Sequence, residues 1–289
     1  MNEDLKKRIA QLNEHAKAGI FGVAAQTSTF EYEGLENQGM SAFLKLINDF
    51  YQKPKNTEED KMMANMADNF CQLMIVVYRD AKKQDEKVAL AFANSFIKDF
   101  PGTTGTCLYP QWEALVNASY AFKNAPSSNN SLLVWQQSLK LVQAYNEFLN
   151  VLLGYLLVTW RCALGKPYSL NVLTNTYGSK LNEFSQLTDG EDGAFYLIFR
   201  LAKPDLRNAI AHEDIWLDSK SATVRYSAGK NPKKRYKIDL GELVGLGAMG
   251  ANLGQAFTVA LATIIVLEDG TAKDIEKLPA HLVQVFRKI

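Results

Sequence analysis

Within Lys203-Pro-Asp-Leu-Arg-Asn-Ala-Ile-Ala-His-Glu-Asp-Ile-Trp216, the stretch Arg207-Asn208-Ala209-Ile210-Ala211-His212 places a permanent cation and an imidazole at one end of a short predicted helix. An arginine grips phosphate with a planar fork, and a histidine side chain moves protons near neutrality. Cleaving RNA without a metal needs these two functions, charge stabilisation at phosphorus and proton transfer. Spacing alone does not single the pair out. Arg8 and His15, with six residues between them, lie within the first predicted helix and satisfy the same rule.

Context separates the two pairs. Asn208 follows the arginine and lies four residues before His212, one helical turn below the imidazole, where an amide can orient the ring. Ala209, Ile210 and Ala211 are small or apolar and allow close packing, and Pro204-Asp205 is a helix start. An apolar helix precedes the motif and strands follow it. Arg8 and His15 have none of this and read as solvated. The structural alternative for the favoured pair is Arg207 paired with Asp205 or Glu213, and His212 capping helix-end carbonyls.

The elements that must position these residues are mainly helical. Periodicity predicts helices over 41–51, from the acidic start Asn56-Thr57-Glu58-Glu59-Asp60 to about 82, over 88–100, 110–124 and 131–164 with a possible kink at Gly154, and over 242–267. Ala194–Ala202 and Pro204–His212 form two helices broken at Lys203-Pro204. Ile215–Leu217, Thr223–Tyr226 and Arg235–Leu240 read as short strands, with a turn at Gly229-Lys-Asn-Pro232 and hence a β-hairpin over about 215–240. Gly102–Cys107 and Ala125–Asn130 are the strongest punctuation, so a boundary falls near 101–109 or 125–130. The expected division is an N-terminal helical region, 1–124, and a helical domain, 125–289.

With 289 residues, 47% hydrophobic and 22% charged, the chain has the composition of a globular protein. A net charge of +1 excludes bulk electrostatic coating of nucleic acid, so any basic surface is local. Cys71, Cys107 and Cys162 form no CxxC pattern and fit packed thiols in a reducing compartment. The apolar run Phe148–Leu164 is broken by Asn150 and Arg161 and preceded by Gln143, Asn146 and Glu147, which suits a buried helix better than a membrane span. No export signal is visible at the first residues, and a cytoplasmic location without membrane attachment is expected.

From about residue 131 to 267 the order of elements and the Leu206–His212 motif resemble the HEPN superfamily, the higher eukaryote and prokaryote nucleotide-binding proteins. Its nucleases carry an Arg-x4-6-His motif, commonly with a polar residue after the arginine. The resemblance implies a mainly α HEPN-like bundle bearing a small β-hairpin. It also implies metal-independent endoribonuclease activity by 2′-hydroxyl attack, with no cofactor and no metal. The site would form across a homodimer, in a toxin or phage-defence setting that brings an antitoxin or other regulatory partner. His212 would transfer protons, Arg207 stabilise the phosphorane and Asn208 orient the histidine. A non-catalytic RNA- or nucleotide-binding module, or a helical interaction protein, is the alternative.

The basic run Lys230-Asn-Pro-Lys-Lys-Arg-Tyr-Lys237 offers Lys233, Lys234, Arg235 and Tyr236 as an RNA track, with Tyr236 stacking on a base; a solvated hairpin tip is the alternative. Trp216 is either a cleft wall or a packing anchor for the hairpin. Gly245-Leu-Gly-Ala-Met-Gly250 fits GxGxxG, but Lys237, Asp239, Gly241 and Glu242 interrupt the apolar strand that a dinucleotide fold needs before it. Close helix packing is the better account of these glycines.

Overall fold

The computed structural model describes residues 40–125, 131–218, 220–229 and 234–287; Arg8, His15 and Lys233 lie outside the described residues. The fold is mainly helical with one small antiparallel sheet of three strands. The chain divides into two compact units, one running up to Arg79 and resuming at Ala256, the other Asp80–Gln255.

The first unit contains α1 (Met40–Tyr51), most of α2 (Glu58–Gln84), the end of α9 (Leu240–Asp269), and the short α10 (Ala272–Ile275) and α11 (Ala280–Arg287). Thr57 starts α2 by a reciprocal cap, its hydroxyl accepting from Asp60 N while Asp60 Oδ2 accepts from Thr57 N. Asp68 ties three elements together. It accepts from Tyr51 of α1 and Gln72 of α2, and lies 3.0 Å from His281 Nε2 of α11. Burial, then the Cys71 thiol and the Asp68 carboxylate, push the Tyr51 hydroxyl far above its ordinary range.

The second unit is built on α5 (Ser131–Ala163), whose residues from Leu141 to Val158 are buried on several faces. Around it lie α3 (Glu86–Ala93), α4 (Tyr109–Asn124), α6 (Tyr177–Thr188), α7 (Tyr196–Leu201) and α8 (Pro204–Ala211). The expected helix over 88–100 stops at Ala93, because Asn94 turns its amide back onto Leu90 O. The loop after it wraps a carboxylate: Gly105, Thr106 and Cys107 donate their backbone N–H groups to Asp99. Burial raises that carboxyl, but the three donors outweigh it and hold the group below its ordinary value. The strands β1 (Ile215–Asp218), β2 (Thr223–Ala228) and β3 (Lys234–Asp239) form an antiparallel meander, Tyr226 pairing with Tyr236 and Val224 with Ile238. Helix α6 has no counterpart in the sequence reading.

Two helical stretches, Leu132–Ala163 and Leu240–Asp269, are long and apolar enough to cross a membrane, yet 78% and 67% of their apolar windows are buried inside the protein. All three cysteines are buried thiols, none of them in a disulfide.

Glycine sets the depth of packing against α5. The helix runs unbroken through Gly154, where a Cβ would come 3.2 Å from the Leu173 side chain, so close approach rather than a kink explains this residue. The GxGxxG stretch lies inside α9 and not at a strand–helix turn. A Cβ at Gly250 would sit 2.3 Å from Tyr145 Cγ, and one at Gly254 2.6 Å from Leu115 Cδ2. Gly245 has nothing within 4 Å. Gly250→Ala is therefore expected to lower stability by about 2–3 kcal/mol through overpacking. Gly245→Ala should raise it by about 0.5–1 kcal/mol through helix propensity. Urea unfolding followed by circular dichroism checks both signs, and equal effects would refute the packing account.

Candidate functional site

Three successive residues of α5 fix the segment that carries the arginine–histidine motif. Tyr145 donates to Leu201 O at 3.1 Å, at the end of α7. Asn146, fully buried, accepts on Oδ1 from Lys203 N and from the Tyr177 hydroxyl, both at 3.0 Å, and donates to Val142 O. Glu147 Oε1 accepts from Arg207 Nε at 2.6 Å. Pro204 then starts α8, its missing N–H falling where a helix has no intrahelical partner to offer. Burial, then Tyr145 and Glu147, push the Tyr177 hydroxyl well above its ordinary value, with Arg207 pulling the other way.

The far end of α8 is equally defined. Asp214 N bonds Ala209 O and Glu213 N bonds Ile210 O, with Glu213 at φ 57°, the left-handed residue of a Schellman ending. His212 is the C-cap residue, and its exposed ring has no side-chain partner among the described residues. Five residues along a helix turn by about 140° and rise about 7.5 Å, so Arg207 and His212 leave α8 on different sides. Asn208 stands between them. Its Oδ1 accepts from Arg207 Nη1 at 3.0 Å, and among the described residues its amide makes no bond to the His212 ring. Arg207 is paired with neither Asp205 nor Glu213, and its Nη2 has no partner among the described residues.

The basic run divides over the two faces of the sheet. Tyr236 faces α8, stacked on Tyr226 at 5.1 Å and donating to Asp205 at 3.2 Å. Lys234 shares that parity at the strand end and is exposed. Arg235 projects on the opposite face, exposed, together with Trp216, which is 47% exposed. Burial, then the Asp205 charge, raises the Tyr236 hydroxyl.

Behind Asn146, Lys180 of α6 is buried (3% exposed) and donates to Asn150 O and Oδ1 at 2.9 and 3.2 Å. Burial pulls its amine down from 10.5 to about 8. Among the described residues no group of three or more His, Cys, Asp or Glu is placed to hold a metal ion. No protein-family model, curated protein or solved structure matches this chain.

Sequence reasoning missed Glu147, Asn146 and Tyr177 as parts of this site. The first two had shown themselves only as polar interruptions before an apolar helix. Asn146→Leu strands the Lys203 N–H and the Tyr177 hydroxyl, so it should cost about 2–4 kcal/mol in urea unfolding, whereas Asn208→Ala at the exposed end should cost under about 0.5 kcal/mol. Similar costs for the two would rule out the anchoring role.

Lys180 makes a pH prediction. Folded, its amine releases the proton near 8; unfolded, it holds it to 10.5. Between these values the unfolded state binds more protons, so stability climbs with pH. Below about pH 8 both states are protonated and the cost of the buried ammonium is felt in full. From about pH 9 the buried Cys71 thiol, and above about pH 10 tyrosines such as Tyr155, are harder to ionise when folded and pull the other way. Between about pH 7.5 and 9.5 the stability of the parent should therefore climb relative to that of Lys180→Met, which lacks the rising contribution. A matching slope in both would reject the assignment.

Proposed function

We propose that this protein is a HEPN-like, metal-independent endoribonuclease in which Arg207 and His212 cleave RNA by promoting attack of a 2′-hydroxyl on the adjacent phosphate. The observation that supports this reading is the state of Arg207: Nε held by Glu147, Nη1 held by Asn208, Nη2 without a partner among the described residues, with the exposed imidazole of His212 ending the same short helix. Arg207 stabilises charge on the phosphorane and His212 transfers the proton. Asn208 positions the guanidinium. In-line cleavage benefits from an acid and a base on opposite sides of phosphorus, and each chain brings one imidazole to this motif. A homodimer with the two α8 ends facing each other supplies both. Lys234 on the α8 side of the sheet and Arg235 on its outward side, with Lys233, hold the RNA backbone along its path. Action in the cytoplasm as a toxin or in phage defence, under an antitoxin or other regulatory partner, rests on family analogy.

Binding of RNA without cleavage is a second reading. The Glu147 carboxylate, which offsets the charge of Arg207, favours it.

Cleavage of single-stranded RNA should persist in EDTA and leave 2′,3′-cyclic phosphate ends. Arg207→Ala and His212→Ala should each slow it about 10²- to 10⁴-fold without loss of helicity. Gel electrophoresis of labelled RNA with end-group analysis reads this directly. RNA that is bound but uncut by the parent protein selects the second reading, and a strictly monomeric active protein removes the composite site.

A further inference from the structure

We infer that the outward face of the three-stranded sheet is a stacking platform for single-stranded RNA, built on the cross-strand row Trp216–Arg225–Lys237. The register makes this row: Trp216 pairs with Arg225, and Arg225 with Lys237. All three are exposed and share one face, since alternate residues of a strand point the same way. Of the four tryptophans in the chain, Trp216 alone is exposed. Among the described residues no cation lies over its ring. An unpartnered indole beside a guanidinium and an ammonium matches an unpaired base flanked by phosphates, and a duplex, whose bases are already stacked, presents no such surface.

The charge pattern gives the platform a direction. Toward the hairpin turn the next row on the same face is Asp214–Ser227–Arg235, which adds one cation and one carboxylate. In the other direction the row Asp218–Thr223–Asp239 ends the face with two carboxylates. Both are engaged locally, Asp218 by Lys220 N and Asp239 by Gly241 N. Asp218 also lies 3.6 Å from Arg225, whose side chain remains 51% exposed. A nucleic acid strand is thus repelled at the Asp218–Asp239 end of the face and held at the central row by Arg225 and Lys237. Strands lie about 4.8 Å apart, so the row spans about 10 Å, the length of one or two nucleotides. Four residues of chain, at most about 14 Å, separate Trp216 from His212.

The choice of RNA over DNA rests on the cleavage reading; the stacking surface does not. Full-length protein carrying His212→Ala and a fluorescein-labelled 12-nucleotide single-stranded RNA, read by anisotropy, provide the test. Trp216→Ala should weaken binding about tenfold and Trp216→Phe should restore most of it. Lys237→Gln, at an exposed position where folding is not at stake, should weaken binding severalfold. It should also flatten the log K against log salt slope by about 0.7. The inference is overturned if both Trp216→Ala and Lys237→Gln bind within twofold of the parent, or if a duplex of equal length binds as tightly. It is equally overturned if the parent ignores RNA but dimerises through this face, with Trp216→Ala monomeric. RNA binding that depends on Trp216 in a protein that never cuts upholds the platform and removes the nuclease reading. Cleavage with an unchanged KM in Trp216→Ala does the reverse.

Discussion

The carboxamide of Asn146 sits where three parts of the second unit meet, and it has no water to fall back on. Its oxygen takes one donor from the chain entering α8 and another from Tyr177 of α6, while its nitrogen donates within α5. A satisfied buried amide contributes modestly, but a donor left without it pays the full desolvation cost. That asymmetry makes the arrangement specific: other placements of Lys203 or Tyr177 leave a buried polar group alone. The neighbouring residues extend the same logic, Tyr145 reaching Leu201 and Glu147 reaching Arg207.

This polar anchor depends in turn on an apolar one. Tyr145 can lie flat against α9 only because residue 250 has no side chain. Bulk there would displace the ring and with it the hydroxyl that holds Leu201. A helix of eight residues, such as α8, has little stability of its own. Its position is therefore tertiary from end to end: bonded to α5 at its start, closed by the Schellman turn at its end, and braced by the Tyr236–Asp205 bond from the sheet. Glu213 accepts a left-handed backbone that glycine would adopt more easily, which costs about 1 kcal/mol and fixes where His212 points the chain into β1.

Strong periodicity made the long helices and the three strands legible, and the charged residues before Gly245 correctly argued against a dinucleotide fold. Helix α6 escaped because its buried face reads Tyr177, Lys180, Phe184, Thr188, with a lysine in a core slot; an apolar scan does not count it. The partner of Arg207 was not legible, since Glu147 lies sixty positions away and only packing brings it near. Nor could the sequence say which of Arg235 and Tyr236 faces α8, because that depends on register, and one residue of slip exchanges the faces. Asn208 was expected to orient the His212 ring; its oxygen instead takes a charged donor from Arg207, one position back, and among the described residues it makes no bond to the ring.

On the cleavage reading, the Glu147 pair selects an edge of the guanidinium instead of silencing it. Arginine has five N–H groups in a rigid plane. Glu147 occupies the one on Nε and Asn208 one of the two on Nη1, which leaves one on Nη1 and both on Nη2. The side-on edge, Nε with Nη2, is blocked at Nε. Both hydrogens on Nη2 and one on Nη1 have no partner among the described residues and are the donors left for phosphate oxygens. A free arginine samples both edges and many rotamers; this one is held in advance, which lowers the entropy cost of ordering it on the phosphate. The carboxylate reduces the net charge of the site, and with two copies at a dimer seam it also limits the repulsion between two facing guanidiniums. A site built from one chain would gain nothing from that second effect, so the ion pair and the dimer belong to the same argument.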